Sequence, residues 1–375
     1  MTYRRAAIPA LVGGLLITAL LWWAGASVQA LHLVEHWLTP WSYDPPDVVR
    51  FGAGASDWAN GMPEPDGARY LVLYHTAMQI RFCAVFAFFV PGALHLVRRL
   101  PPVHGRLPAT LLAVWAWGLV AGTLAVAVSA PWLIASQGRG SYRFLPQLAG
   151  TISSGRQILV VTALVAAVGT VFAARITAKG AGPLPRQAVP PRAARLSATA
   201  GTAIIALSLV VLSYESVAAA IQRFDPLGGL FAEPGELLRE WLLLGGWAGP
   251  AGAPFGDWFL HRLPDVLLLV VVWWALRWLP VLLTRATVPA MAVGAVCATV
   301  LGLLASQSLR MATDGAGLRW GLTYLSAGLG DGVPAALTCG LVAGVVAATT
   351  LRLTVAGRAD DVPEAALSAE SPAHP

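Results

Sequence analysis

YLVLYHTAMQIRFCAVFAFFVPGALHLVRR, Tyr70 to Arg99, is an apolar run that closes on two arginines. A helix crossing a bilayer needs about 20 consecutive apolar residues, and this run exceeds that. His75, Gln79 and Arg81 lie inside it. Burying charge in lipid is expensive, so Arg81 is a functional candidate as soon as the run is read as a membrane span.

The rest of the chain supports that reading. Of its 375 residues 57% are hydrophobic and 12% charged, whereas soluble domains carry about 25% charged residues. The excess of six positive charges therefore reads as the bias of short cytoplasmic loops and contact with anionic lipid, with no nucleic-acid partner implied. Cys83, Cys297 and Cys339 all fall in apolar runs. They form no CxxC pair and read as small packing residues.

Eight spans are expected, over about 6–23, 70–98, 109–135, 157–174, 196–221, 264–284, 288–309 and 333–354. The first is longer than a signal-peptide core and reads as a retained helix, although Ser27 to Ala30 offers a small-residue cleavage site. Orientation follows from the arginines. With the N-terminus inside, the segments 1–8, 98–108 and 175–195 and the Thr284-Arg285 turn carry Arg and Lys179 but neither Asp nor Glu. The long loops 32–69 and 222–263 hold most of the acids. The density of Lys and Arg in short loops sets topology. The expected fold is an all-α integral membrane protein of eight helices, with N- and C-termini cytoplasmic, in a bacterial plasma membrane.

Each half repeats one plan, which suggests two parallel four-helix repeats. A helix leads to a long outer loop, then to a helix ending RRLP (98–101) or RWLP (277–280). The next helix ends LIASQ (133–137) or LLASQ (303–307), and after an amphipathic stretch a closing helix follows. The implied organisation is a first membrane half at 1–178, a Pro- and Arg-rich linker at 179–195, a second half at 196–356 and a disordered cytoplasmic tail at 357–375. Within the second long loop, ELLREWLLLGGW (236–247) has the pattern of a short helix lying on the membrane surface. Gly340-x-x-x-Gly344 is a helix-packing motif.

Two constellations could carry chemistry. Arg81 lies about 25 Å from the Arg98 end of its span at 1.5 Å per residue, and Glu215 about 28 Å from the inner end of the fifth span. Similar depth makes them a candidate intramembrane charge pair between the halves, functional as a gate or purely structural. The second is His32, Glu35 and His36, HLVEH, which matches the H-x-x-E-H string of inverted zincins. One helical turn separates the two histidines, as two zinc or copper ligands require, with His75 as a third ligand, His261 on the same side of the membrane, and Glu35 as base.

There is no GxSxG or Walker string, so ATP-driven transport would need a separate ATPase as partner. The sequence thus supports a transporter or permease-type membrane subunit with a site between two helical halves. The alternatives are a membrane-embedded enzyme with an outward-facing metal site, and a non-catalytic scaffold that binds a partner subunit through its loops.

Overall fold

The computed structural model describes residues 3–27, 39–42, 67–102, 105–137, 143–153, 157–178, 189–226, 228–244, 255–313 and 332–359. Every regular element among them is helical. The helices are α1 (Tyr3–Ala26), α2 (Gly67–Arg99), α3 (Leu107–Ser136), α4 (Phe144–Ser153), α5 (Gln157–Thr177), α6 (Pro191–Ala206), α7 (Glu215–Gln222), α8 (Gly235–Leu242), α9 (Phe255–Leu282), α10 (Val288–Thr313) and α11 (Val333–Ala359). Thr39–Trp41 forms a single 3-10 turn. Eight of the helices are long and apolar enough to cross a membrane, as a polytopic membrane protein requires.

The spans pack in two rings with the same internal order. In the first, α1 packs on α2 and α5, and α3 closes the ring between those two. In the second, α6 packs on α9 and α11, and α10 closes it. The rings meet chiefly along α3 and α10, with α2 touching α10 and α3 touching α11. Burial marks the same centre. The most apolar windows of α10 and α3 are 72% and 61% buried, against 28% for α9. Helices apolar all round belong in the interior, and α3 carries no charged residue at all. At the rim, Val266, Val270, Trp274 and Trp278 of α9 form an exposed apolar stripe suited to lipid.

Small residues let α10 and α11 approach each other closely. A Cβ on Gly344 would stand 2.4 Å from the Ala292 Cα, and one on Gly340 2.8 Å from the Val296 Cα. The GxxxG spacing therefore places backbone directly against backbone.

One end of the bundle, here the terminal face, gathers the start of α1 and the ends of α2 and α5, where Ala6, Val97 and Ala174 pack together. It also joins the start of α6 to the end of α11, through the Ser197 hydroxyl donating to the Ala347 carbonyl at 2.7 Å. The opposite end, the loop face, carries α4, α7 and α8.

The fifth span departs from expectation. It was expected to run to 221, but α6 passes into a π-helix at Leu207–Leu212 and breaks at Tyr214, whose backbone is extended. The Ser208 hydroxyl leaves its own helix to donate to the Leu242 carbonyl at the end of α8, and the Ser213 hydroxyl donates to the Ser208 carbonyl at 3.0 Å. Thr338 of α11 donates to the neighbouring Trp241 carbonyl. These bonds satisfy carbonyls that the end of α8 leaves without helical partners. They also seat the apolar C-terminal end of α8 in the bundle, with Leu243 and Leu244 buried. The pattern of 236–247 predicts a helix lying on the membrane surface. Its helix is present, but it is anchored inward at its C-terminal end. The tail from 360 and most of the linker lie outside the described residues.

Candidate functional site at the loop face

Arg81 is only 2% exposed, in the loop-face half of α2. Its Nε donates to Ser129 Oγ of α3 at 2.9 Å, and Nη1 donates to the Pro40 carbonyl. The guanidinium carbon lies 5.4 Å from the centroid of a Trp41 ring, a cation–π contact worth about 2 kcal/mol when desolvated. Nη2 is buried with no hydrogen-bond acceptor among the described residues. The turn that supplies Pro40 and Trp41 is held at its other end by the Tyr74 hydroxyl, which donates to the Ser42 carbonyl at 2.7 Å. Its backbone rests on α1 at Gly25, where a Cβ would lie 2.1 Å from the Trp41 carbonyl oxygen.

Glu215 is not brought to Arg81. The break at Tyr214 puts it in the first turn of α7, exposed, and no ion pair joins the two among the described residues. Similar depth requires an unbroken fifth helix, and the π-helix with the break at Tyr214 removes that condition. Of the candidate metal ligands, His32, Glu35 and His36 lie outside the described residues, as does the side chain of His261. His75 is exposed one position along α2 from Tyr74, with the two rings edge-on at 6.1 Å. No cluster of three His, Cys, Asp or Glu occurs among the described residues.

A charged cluster lies at the loop-face ends of α9 and α10. Asp265 is bonded through both carboxylate oxygens, to Arg310 Nη2 at 2.6 Å and Arg262 Nη1 at 3.1 Å. The i, i+3 spacing of Arg262 and Asp265 was a usable signal. Arg310, 45 residues away from Asp265, gave none.

The seam between the two rings is closed at the terminal face. The Thr284 amide donates to the Arg99 carbonyl at 2.9 Å, and Arg106 Nη2 to the Val281 carbonyl at 3.3 Å. Further in, the buried Cys297 thiol of α10 lies 3.3 Å from the Ala113 carbonyl of α3. Toward the loop face the seam opens into a cleft of about 360 Å³. Ala149, Gly150 and Ser153 of α4 line one side, and Glu236, Arg239, Glu240 and Leu244 line the other, with Gln307 of α10 among the remaining lining residues. Just before α4 and α8 begin, Arg143 pairs with Glu233 at 3.1 Å, with side chains 64% and 41% exposed. So exposed a pair contributes below about 1 kcal/mol and can open readily.

The chain matches no protein-family model, and comparison with curated proteins and with solved structures also finds no match.

Proposed function

We propose that the chain is a transporter or permease-type membrane subunit whose path runs between two four-helix halves, with both termini on the cytoplasmic side of a bacterial plasma membrane. The observation that carries this reading is the cleft of about 360 Å³, walled by α4 from one half and α8 and α10 from the other. Ligand pockets are clefts of roughly 300–1,000 Å³, often at the interface between structural units. Transporters built from repeats place their path at the repeat interface.

Further support comes from the matched ring order and from the two LxASQ strings. Ser136 and Ser306 are both buried, and each hydroxyl bonds the carbonyl three residues back, at 2.7 and 2.8 Å. An internal duplication accounts for this correspondence. With the cleft open at the loop face and the seam sealed at the terminal face, the arrangement is one limit of alternating access. The cytoplasmic side is assigned from the arginines of the terminal-face loops. Any ATP-driven cycle would use a separate ATPase subunit.

Cys297 is the built-in reporter, because it lies under the terminal-face seal. Alternation must expose it to a thiol reagent from that face, whereas a rigid scaffold keeps it buried. The metal-enzyme reading rests on HLVEH alone and is tested by metal analysis.

A further inference from the structure

We propose that Arg81 is the receptor for a phosphate-type oxyanion, and that the Thr39–Ser42 turn is its displaceable cover. This stands apart from the transport reading. A guanidinium is always charged and offers five N–H donors. Here it is buried, yet its partners among the described residues are all neutral: a serine hydroxyl, a proline carbonyl and an indole face. No carboxylate pairs with it among the described residues, and Nη2 has no acceptor. A buried cation left without a counter-charge is strongly destabilising, so the arrangement calls for an anion.

The geometry says where the anion goes. Ser129 Oγ accepts from Nε and in turn donates to the Val126 carbonyl at 3.0 Å, so it fixes the plane of the fork from within α3. Among the described residues the other edge, Nη1 and Nη2, has a hydrogen-bond partner only in Pro40 of the turn, through Nη1. Two parallel bonds to that edge are the preferred way an arginine holds an oxyanion. Nη2 is fully enclosed, so the anion enters only as the turn withdraws. Withdrawal also releases the Tyr74 hydroxyl from the Ser42 carbonyl. The Nη1–Nη2 edge then presents two parallel donors to one oxyanion. The Pro40 carbonyl thus stands where an anion oxygen would sit.

Gly25 gives a way to lift the cover without touching the receptor. In Gly25→Ala the new Cβ meets a backbone carbonyl at 2.1 Å, a clash no side-chain rotation relieves, so the turn must shift outward. Wild type, Gly25→Ala and Arg81→Gln would be purified into neutral-lipid nanodiscs and probed with radiolabelled orthophosphate. A parallel set in phosphatidylglycerol nanodiscs would be examined for co-purified lipid by native mass spectrometry.

Gly25→Ala should bind one of these probes more tightly than wild type. Arg81→Gln, alone or with Gly25→Ala, should lose roughly tenfold or more, the scale of a charge-assisted bond. Orthophosphate binding identifies a soluble anion, and retained phosphatidylglycerol alone identifies a lipid headgroup. Arg81→Lys keeps the cation but not the fork, and serves if the glutamine variant fails to fold. Binding of neither probe by Gly25→Ala, as when a carboxylate of the chain itself neutralises Arg81, overturns the proposal. So does equal binding with and without Arg81.

Discussion

Gly344→Ala should destabilise the bundle, although the same substitution in an open helix stabilises it. The added methyl would lie 2.4 Å from the Ala292 Cα and 2.7 Å from the Met291 carbonyl, whereas ordinary contact begins near 3.4 Å. The α10–α11 crossing must therefore widen by about 1 Å (3.4 − 2.4). Because both contacts are backbone, no rotamer change absorbs it. A gap of that size forfeits roughly a quarter to a half of the contact energy along the crossing. Overpacking of this kind costs about 1–3 kcal/mol, against a gain of about 1 kcal/mol from the better helix propensity of Ala. With rigid atoms on both sides we expect a net loss of about 1–2 kcal/mol. Gly150→Ala in α4 is the control, since nothing lies within 4 Å of its Cβ. It should gain up to about 1 kcal/mol. The measurement is reversible unfolding in mixed micelles, followed by circular dichroism. Shifts of the same sign in the two variants would refute the close crossing.

Two further outcomes follow from the ion cluster and the histidines. Asp265→Asn should cost more than Arg310→Gln, because it leaves two arginines facing each other; a double-mutant cycle should give a coupling of about 1 kcal/mol, discounted because Arg310 is a third exposed. Additive effects would show that the cluster does not clamp α9 to α10. Transport needs no resident metal, so purified protein should hold well under one equivalent of zinc or copper; a full equivalent lost in His36→Ala would move the reading to an enzyme built on His32, His36 and His75.

The spans were legible because apolar length is a local property, and Leu107–Ser136 needs no tertiary context to be read. Gly340 and Gly344 were legible for the same reason, as a fixed spacing on one helix. The break after Leu212 was not. Leu207 to Tyr214 contains neither Gly nor Pro, and the break comes where Ser208 reaches a carbonyl 34 residues away and the Ser213 hydroxyl takes the Ser208 carbonyl. An unbroken helix would set Glu215 at the depth of Arg81; with the break, no ion pair joins the two among the described residues. Arg81 itself stood out as a charge in an apolar run. Its actual partners come from 41 and 48 residues away, and proline carbonyls and serine hydroxyls carry no sequence signal of that role. Likewise the cleft exists only because α4 and α8, from different halves, meet at one end of the bundle. No single stretch encodes it.

The proposal that the two halves alternate is tested most directly by modification of Cys297. A protein with Cys83 and Cys339 replaced by alanine would be reconstituted in liposomes, and a membrane-impermeant maleimide added from the terminal face. An alternative state populated at about 0.1–10% would label Cys297 some 10- to 1,000-fold more slowly than the unfolded chain. Labelling no faster than global unfolding would contradict alternation and leave a rigid membrane scaffold.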